Sequence, residues 1–164
     1  MKTCSHLAAA FALLALAGCG SDPDAAGSAG AEAAAGALAG APVTVEGAYV
    51  QEPAAGRTMT SGGVTLVAVG DDLRLVAASS ALAERIELHT MFREDGMMRM
   101  EQIEAVDLPA GEPVTLKRGA DHLMLFGIEP LEPGSAFPLE LTVEDGEGAS
   151  YSVDVQATVR QLGE

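Results

Sequence analysis

From Pro42 onward the chain keeps no apolar repeat of 3.6 residues over three helical turns; short runs of Val, Leu and Ile are instead cut off by Gly, Pro and Asp. Such runs form poor helices but good strands, in which alternate side chains face a core and the rest face water. The expected strands are Val43 to Val50, Val64 to Val69, Leu73 to Ala77, Arg85 to Phe92, Met97 to Val106, Val114 to Leu116, Leu123 to Ile128, Leu139 to Val143 and Tyr151 to Val159. Asp95-Gly96 and Asp145-Gly146 lie between runs and read as hairpin turns, because glycine accepts the positive φ these turns need. The pattern predicts an all-β domain, a sandwich or barrel. Aromatic residues make up only 4% of the chain, so the core has to rest on Val, Leu, Ile and Met.

The first 41 residues differ in kind. Lys2 precedes an apolar stretch, Leu7 to Ala17, that is too short to span a bilayer and reads as an export signal removed from the mature protein. Leu16-Ala17-Gly18-Cys19 resembles the lipobox of bacterial lipoproteins. That resemblance implies a signal peptide over 1–18 and a lipid on Cys19, which would hold the protein to the membrane of the cell envelope. Gly20 after the cysteine implies the outer membrane where a cell has one. Gly20 to Ala41 is Gly, Ala, Ser, Asp and Glu with almost no large apolar side chain, so it reads as a tether. As a flexible coil it would reach roughly 25 Å. The remaining residues, 42–164, suit one compact domain.

Charge and cysteine content narrow the function. A formal net charge of −15, with seven Arg and Lys117 scattered among 24 acids, excludes a phosphate-binding basic face, so nucleic acid is not an expected partner. The only cysteines are Cys4, inside the signal, and Cys19, so the domain expects no disulfide and no thiolate ligand. No Ser, His and acid triad or paired-carboxylate motif stands out, and the chain is not read as an enzyme.

The chemistry-bearing pattern is a repeated His-x-Met. The domain's two histidines each have a methionine two residues on, in His89-Thr90-Met91 and His122-Leu123-Met124. On a strand, residues two apart share a face, so each pair offers an imidazole nitrogen and a thioether sulfur to one point. A hairpin through Asp95-Gly96 brings Met97 to Met100 back toward Met91 and His89, and Met98 and Met100 again share one face. Thioether and imidazole together suit Cu(I); Ca²⁺ and Mg²⁺ require oxygen, and a blue-copper centre requires a Cys thiolate. Met91 is a further candidate ligand. Met59, Met97 and Met98 read as flexible fillers of the core. Glu87 shares a strand face with His89 and is placed to orient its ring, although its plain reading is a solvated acid.

These residues resemble the periplasmic copper chaperones called PCu(A)C, whose pattern is a His, ten residues, a Met, twenty-one residues, then His-x-Met. His89, Met100, His122 and Met124 fall on all four positions. The segments Glu87-Leu88-His89, Asp95-Gly96-Met97-Met98-Arg99-Met100, Leu108-Pro109-Ala110-Gly111 and His122-Leu123-Met124-Leu125 are similar to that family as well. Two positions depart from it: Gly70-Asp71-Asp72 lacks the usual Asn, and Tyr49 stands where Trp is common. The resemblance implies a Greek-key, cupredoxin-like β-sandwich that binds Cu(I) through His89, Met100, His122 and Met124. It further implies Cu(I) bound near the surface and delivered to the CuA centre of cytochrome c oxidase, so that its subunit II or another copper protein is the expected partner of a chain expected to be a monomer. The competing expectations are a copper buffer or tolerance protein, and a lipid-anchored structural β-sandwich without metal.

Overall fold

A computed structural model describes residues 42–163. The signal over 1–18, Cys19 and the tether up to Ala41 lie outside the described residues. Among the described residues there are ten strands and no helix: β1 (Val43–Gln51), β2 (Met59–Ala68), β3 (Leu73–Ser79), β4 (Arg85–Glu94), β5 (Met97–Gln102), β6 (Val106–Leu108), β7 (Pro113–Leu116), β8 (His122–Phe126), β9 (Ala136–Asp145) and β10 (Ser150–Arg160). They form one hydrogen-bonded path in the order β5-β4-β8-β2-β1-β10-β9-β3-β6, with β7 paired to β2. The pairs are antiparallel except for β1 and β10, which run parallel over Tyr49 to Gln51 and Thr158 to Arg160.

The core follows from the period-two pattern. Phe137, Leu139, Leu141 and Val143 of β9 are buried, as are Val153, Val155, Ala157 and Val159 of β10, with Pro138 and the polar Glu140, Thr142, Asp154, Gln156 and Thr158 between them. Leu66 of β2, Leu75 of β3, Leu88 of β4, Leu108 of β6, Leu116 of β7, and Leu123 and Leu125 of β8 join the same cluster, so the continuous sheet closes over a single core. Each of the Val, Leu and Phe side chains contributes about 1.5–3 kcal/mol on leaving water.

Two expectations about the strands need correction. The expected strand Met97 to Val106 is two strands, because the chain leaves β4 after Gln102 and crosses to pair with β3 from Val106 onward. Strand β2 begins at Met59, five residues before the expected start at Val64. The signal that hid it is Gly62-Gly63, which reads as a turn. Here these glycines lie within the strand: a Cβ on Gly63 would collide with the Leu116 carbonyl oxygen and the Tyr49 ring, and one on Gly62 would stand 2.8 Å from the Tyr49 carbonyl oxygen. Glycine lets β1 and β7 close on β2 from both sides.

Both expected hairpins exist, but they differ in type. Asp95 and Gly96 have φ of 51° and 80° and join β4 to β5 as a two-residue turn, the left-handed pair that matches strand twist. At the other hairpin the positive φ belongs to Gly148, not to Gly146, and the loop is longer. Asp145 holds it together: Oδ1 accepts the backbone N–H of Glu147 and of Ala149, each at 2.9 Å, and Oδ2 accepts the Tyr151 hydroxyl at 3.1 Å.

The Ala149 and Glu147 N–H donors hold the Asp145 carboxyl below the usual Asp range. The folded chain therefore binds that proton less readily than the unfolded chain, so this contribution is intact above about pH 4 and is lost as pH falls further. Thermal melts between pH 6 and pH 2.5 should show Asp145→Asn with a lower melting temperature at pH 6 and a gap to wild type that closes in acid. A gap independent of pH would mean that the carboxylate charge plays no part.

Candidate metal centre

Strand β8 is central, flanked by β4 and β2, and is buried on both faces. Leu123 and Leu125 point into the core opposite Leu88 and Ile86 of β4. Register then places His122 and Met124 on the other face, with His89 directly opposite His122 and Glu87 opposite Met124. On the far side of β4 the edge strand β5 sets Met100 opposite Met91 and Gln102 opposite His89. His89 is thus the hub: His122 is its direct cross-strand neighbour, and Met100 and Met124 are diagonal neighbours on the two flanking strands. Diagonal Cα atoms stand about 7–8 Å apart, within reach of long side chains. Met91 lies two residues further along the same strand face.

The two imidazole centroids are 6.0 Å apart, with planes tilted by 46°. A nitrogen bound to a metal at about 2.0 Å leaves its ring centroid about 3 Å from the ion, so two rings on one ion stand at most about 6 Å apart. The observed spacing falls at that limit.

Hydrogen bonding sets which nitrogen of each ring is available. The His122 Nδ1–H donates to the Ala120 carbonyl oxygen at 2.9 Å, which leaves Nε2 with its lone pair. The His89 Nε2–H donates to Glu87 Oε2 at 2.8 Å, and His89 Nδ1 is the one buried side-chain nitrogen or oxygen among the described residues without a hydrogen-bond partner. A buried acceptor left unpaired costs about 1–3 kcal/mol, and a metal ion would satisfy it. Both rings thus have the arrangement of metal-binding histidines, in which one nitrogen is tied to an oxygen acceptor and the other is free.

Glu87 is therefore not a solvated acid. Its side chain is only 20% exposed and bridges His89 and Arg85, whose Nε stands 2.8 Å from Oε1. The hydrogen bond from His89 holds its carboxyl below the usual Glu range against the opposing effect of partial burial, and Arg85 adds to it. The Arg85 guanidinium lies 4.2 Å over the Phe126 ring, which anchors the row beyond.

A cavity of about 280 Å³ opens on this face, lined among others by Met91, Met100, His122, Met124, Met59 and Arg118. His89 lies beside it and is not part of the lining. His122 and Met124 are buried, whereas Met100 is 47% exposed, so the donor set runs from the interior to the surface. Among the described residues no three His, Cys, Asp or Glu side chains cluster to hold a metal, so an ion here would draw on methionine sulfur.

The methionines expected as core fillers are not in the core. Met97 and Met98 are more than half exposed on the edge strand, and Met59 is 37% exposed on the cavity wall. Sequence reasoning missed Met59 because its segment does not read as a strand.

Solved structures with this architecture define the class as a cupredoxin-like β domain of the PCuAC type. The copper-bound PCuAC domain from PmoF2 superposes with a TM-score of 0.59 at 22% identity, covering 74% of this chain and 94% of that domain. The Cu(I)-bound solution structure of DR1885 from Deinococcus radiodurans gives a TM-score of 0.57 at 32% identity, covering 83% of this chain and 85% of that one.

The chain belongs to the LpqE-like family, described as "Putative lipoprotein LpqE-like", whose sequence model matches residues 43–156. A relative in Leifsonia xyli subsp. xyli, named "Putative lipoprotein Lxx21020", is 30% identical over 116 residues, which cover 70% of this chain and 69% of that protein.

Proposed function

We propose that this protein is an extracytoplasmic, lipid-anchored copper(I) chaperone, a carrier rather than an enzyme, with residues 42–164 as its copper-binding domain. His89, Met100, His122 and Met124 are the ligands, and Met91 is a reserve donor beside Met100. The observation that carries the reading is the facing histidine pair, each ring with one nitrogen free of hydrogen bonds, with Met100 on β5 and Met124 on β8 diagonal to His89 in the ladder. Neutral nitrogen and soft sulfur favour Cu(I) over harder ions and keep it exchangeable. The likeness to DR1885, whose solution structure contains Cu(I), supports the same cargo. Cys19 carries the lipid and residues 19–41 form the tether, in a family described as lipoproteins. In a cell with two membranes the anchor sits in the outer one.

The acceptor in this reading is a cuproprotein with a CuA centre, cytochrome c oxidase being the one to test first. Titration of the protein with Cu(I) against a colorimetric Cu(I) chelator should show one tightly bound ion, and X-ray absorption should report both nitrogen and sulfur neighbours. A chain that takes up no Cu(I) would instead be a structural β-sandwich. Deleting the protein should lower oxidase activity under limiting copper; a defect confined to copper excess would make it a buffer.

A further inference from the structure

Strand β2 brings Met59 to the metal face. Its neighbour Thr60 is turned inward, 8% exposed, and donates its hydroxyl to the Gln51 carbonyl oxygen at 2.9 Å. Alternation then puts Met59 and Ser61 on the outer side, where Ser61 lies opposite Met124 and Met59 opposite Phe126 of β8. Met59 and Met124 are therefore diagonal cross-strand neighbours, about 7–8 Å apart at Cα and within reach of two flexible side chains. Both line the cavity that holds Met91, Met100 and His122. The position is held by backbone: the Ile128 N–H donates to the Thr58 carbonyl oxygen at 3.1 Å, closing the end of the β2–β8 ladder. Met98 makes the contrast, since it shares a face with Met100 but does not line the cavity.

We infer that Met59 is a further thioether ligand of this centre, placed beside Met124 to take up the ion as it moves toward the surface. Met124 is 9% exposed and Met59 is 37% exposed, so the pair offers a buried sulfur and an accessible one. Cu(I) is stable with few ligands, and an incoming donor can displace a thioether without any change of oxidation state. An acceptor would then meet the ion on Met59 without reaching the buried His122.

The inference rests on Cu(I) being the cargo, and its test separates the two. Protein labelled with ¹³C in the methionine methyl groups gives one NMR signal per methionine, each assigned by a single Met→Leu substitution. Adding one equivalent of Cu(I) should shift Met59 together with Met100 and Met124 and leave Met97 in place. Met59→Leu should weaken Cu(I) binding about tenfold, whereas Met97→Leu should leave it unchanged. Leucine preserves volume and the position is partly exposed, so the fold should survive, which circular dichroism checks. If Met100 and Met124 shift while Met59 does not, the Met59 assignment fails and the chaperone reading stands. If no methionine shifts, the cargo assignment fails as well.

Discussion

A variant with His89 and His122 replaced by alanine and Met100 and Met124 by leucine should bind Cu(I) at least about a hundredfold more weakly than wild type, read by chelator competition. The four positions supply both nitrogens and the two principal sulfurs of the proposed centre, leaving only Met59 and Met91 as accessory donors, and leucine keeps the volume of each methionine while removing its sulfur. The single substitutions should differ in their side effects. Met100 is half exposed, so losing it should cost affinity with little change in melting temperature, whereas His89, 12% exposed and hydrogen-bonded to Glu87, should cost stability as well. His122 is 2% exposed and holds the Ala120 carbonyl, so His122→Ala should lower stability as well. Affinity within about threefold of wild type in the fourfold variant would remove these residues from the centre.

Phe137→Ala should destabilise the domain by about 3–5 kcal/mol. Phe137 is fully buried on β9 opposite Ala157 of β10, and a chain so poor in aromatic residues has no comparable side chain to refill the space. For a domain of this size the melting temperature should drop on the order of 10–20 °C. The loss should be partly reversed by Cu(I), because an ion that binds only the folded chain stabilises it in proportion to the logarithm of its concentration over Kd. A drop below about 1 kcal/mol would show that β9 can repack around the missing ring.

The link between these two results is topological. His89 and His122 stand 33 positions apart, on strands that meet only through the β4–β8 ladder. Weakening the core at Phe137 therefore weakens the centre, although no ligand has been touched. Copper should in turn protect β4, β8 and β5 from local opening more than it protects the hairpin at Asp145, which hydrogen exchange would report.

Much of this was legible in the linear chain, for a definite reason. Strand periodicity is local, so alternation alone located most strands and both hairpins. The His-x-Met pairs were legible on the same ground, because two residues apart means one face whatever the strand's partner. Met59 was not legible: its nearness to Met124 comes from the β2–β8 register, and Gly62-Gly63 gives no local hint of a strand. The pairing of Glu87 with His89 was visible as spacing, but whether the acid faces water or the ring depends on what packs over it.

The sequence by itself determined the all-β class, the absence of thiolate from the domain and which His-x-Met pairs are candidate donors, since each of these is carried by residue type and by contacts two positions apart. Tertiary structure alone decided which nitrogen of each histidine is free, that the two rings stand 6.0 Å apart, and that four methionines share one cavity while two stay outside it. Those features depend on register between strands distant along the chain, and register is set only when the whole core packs.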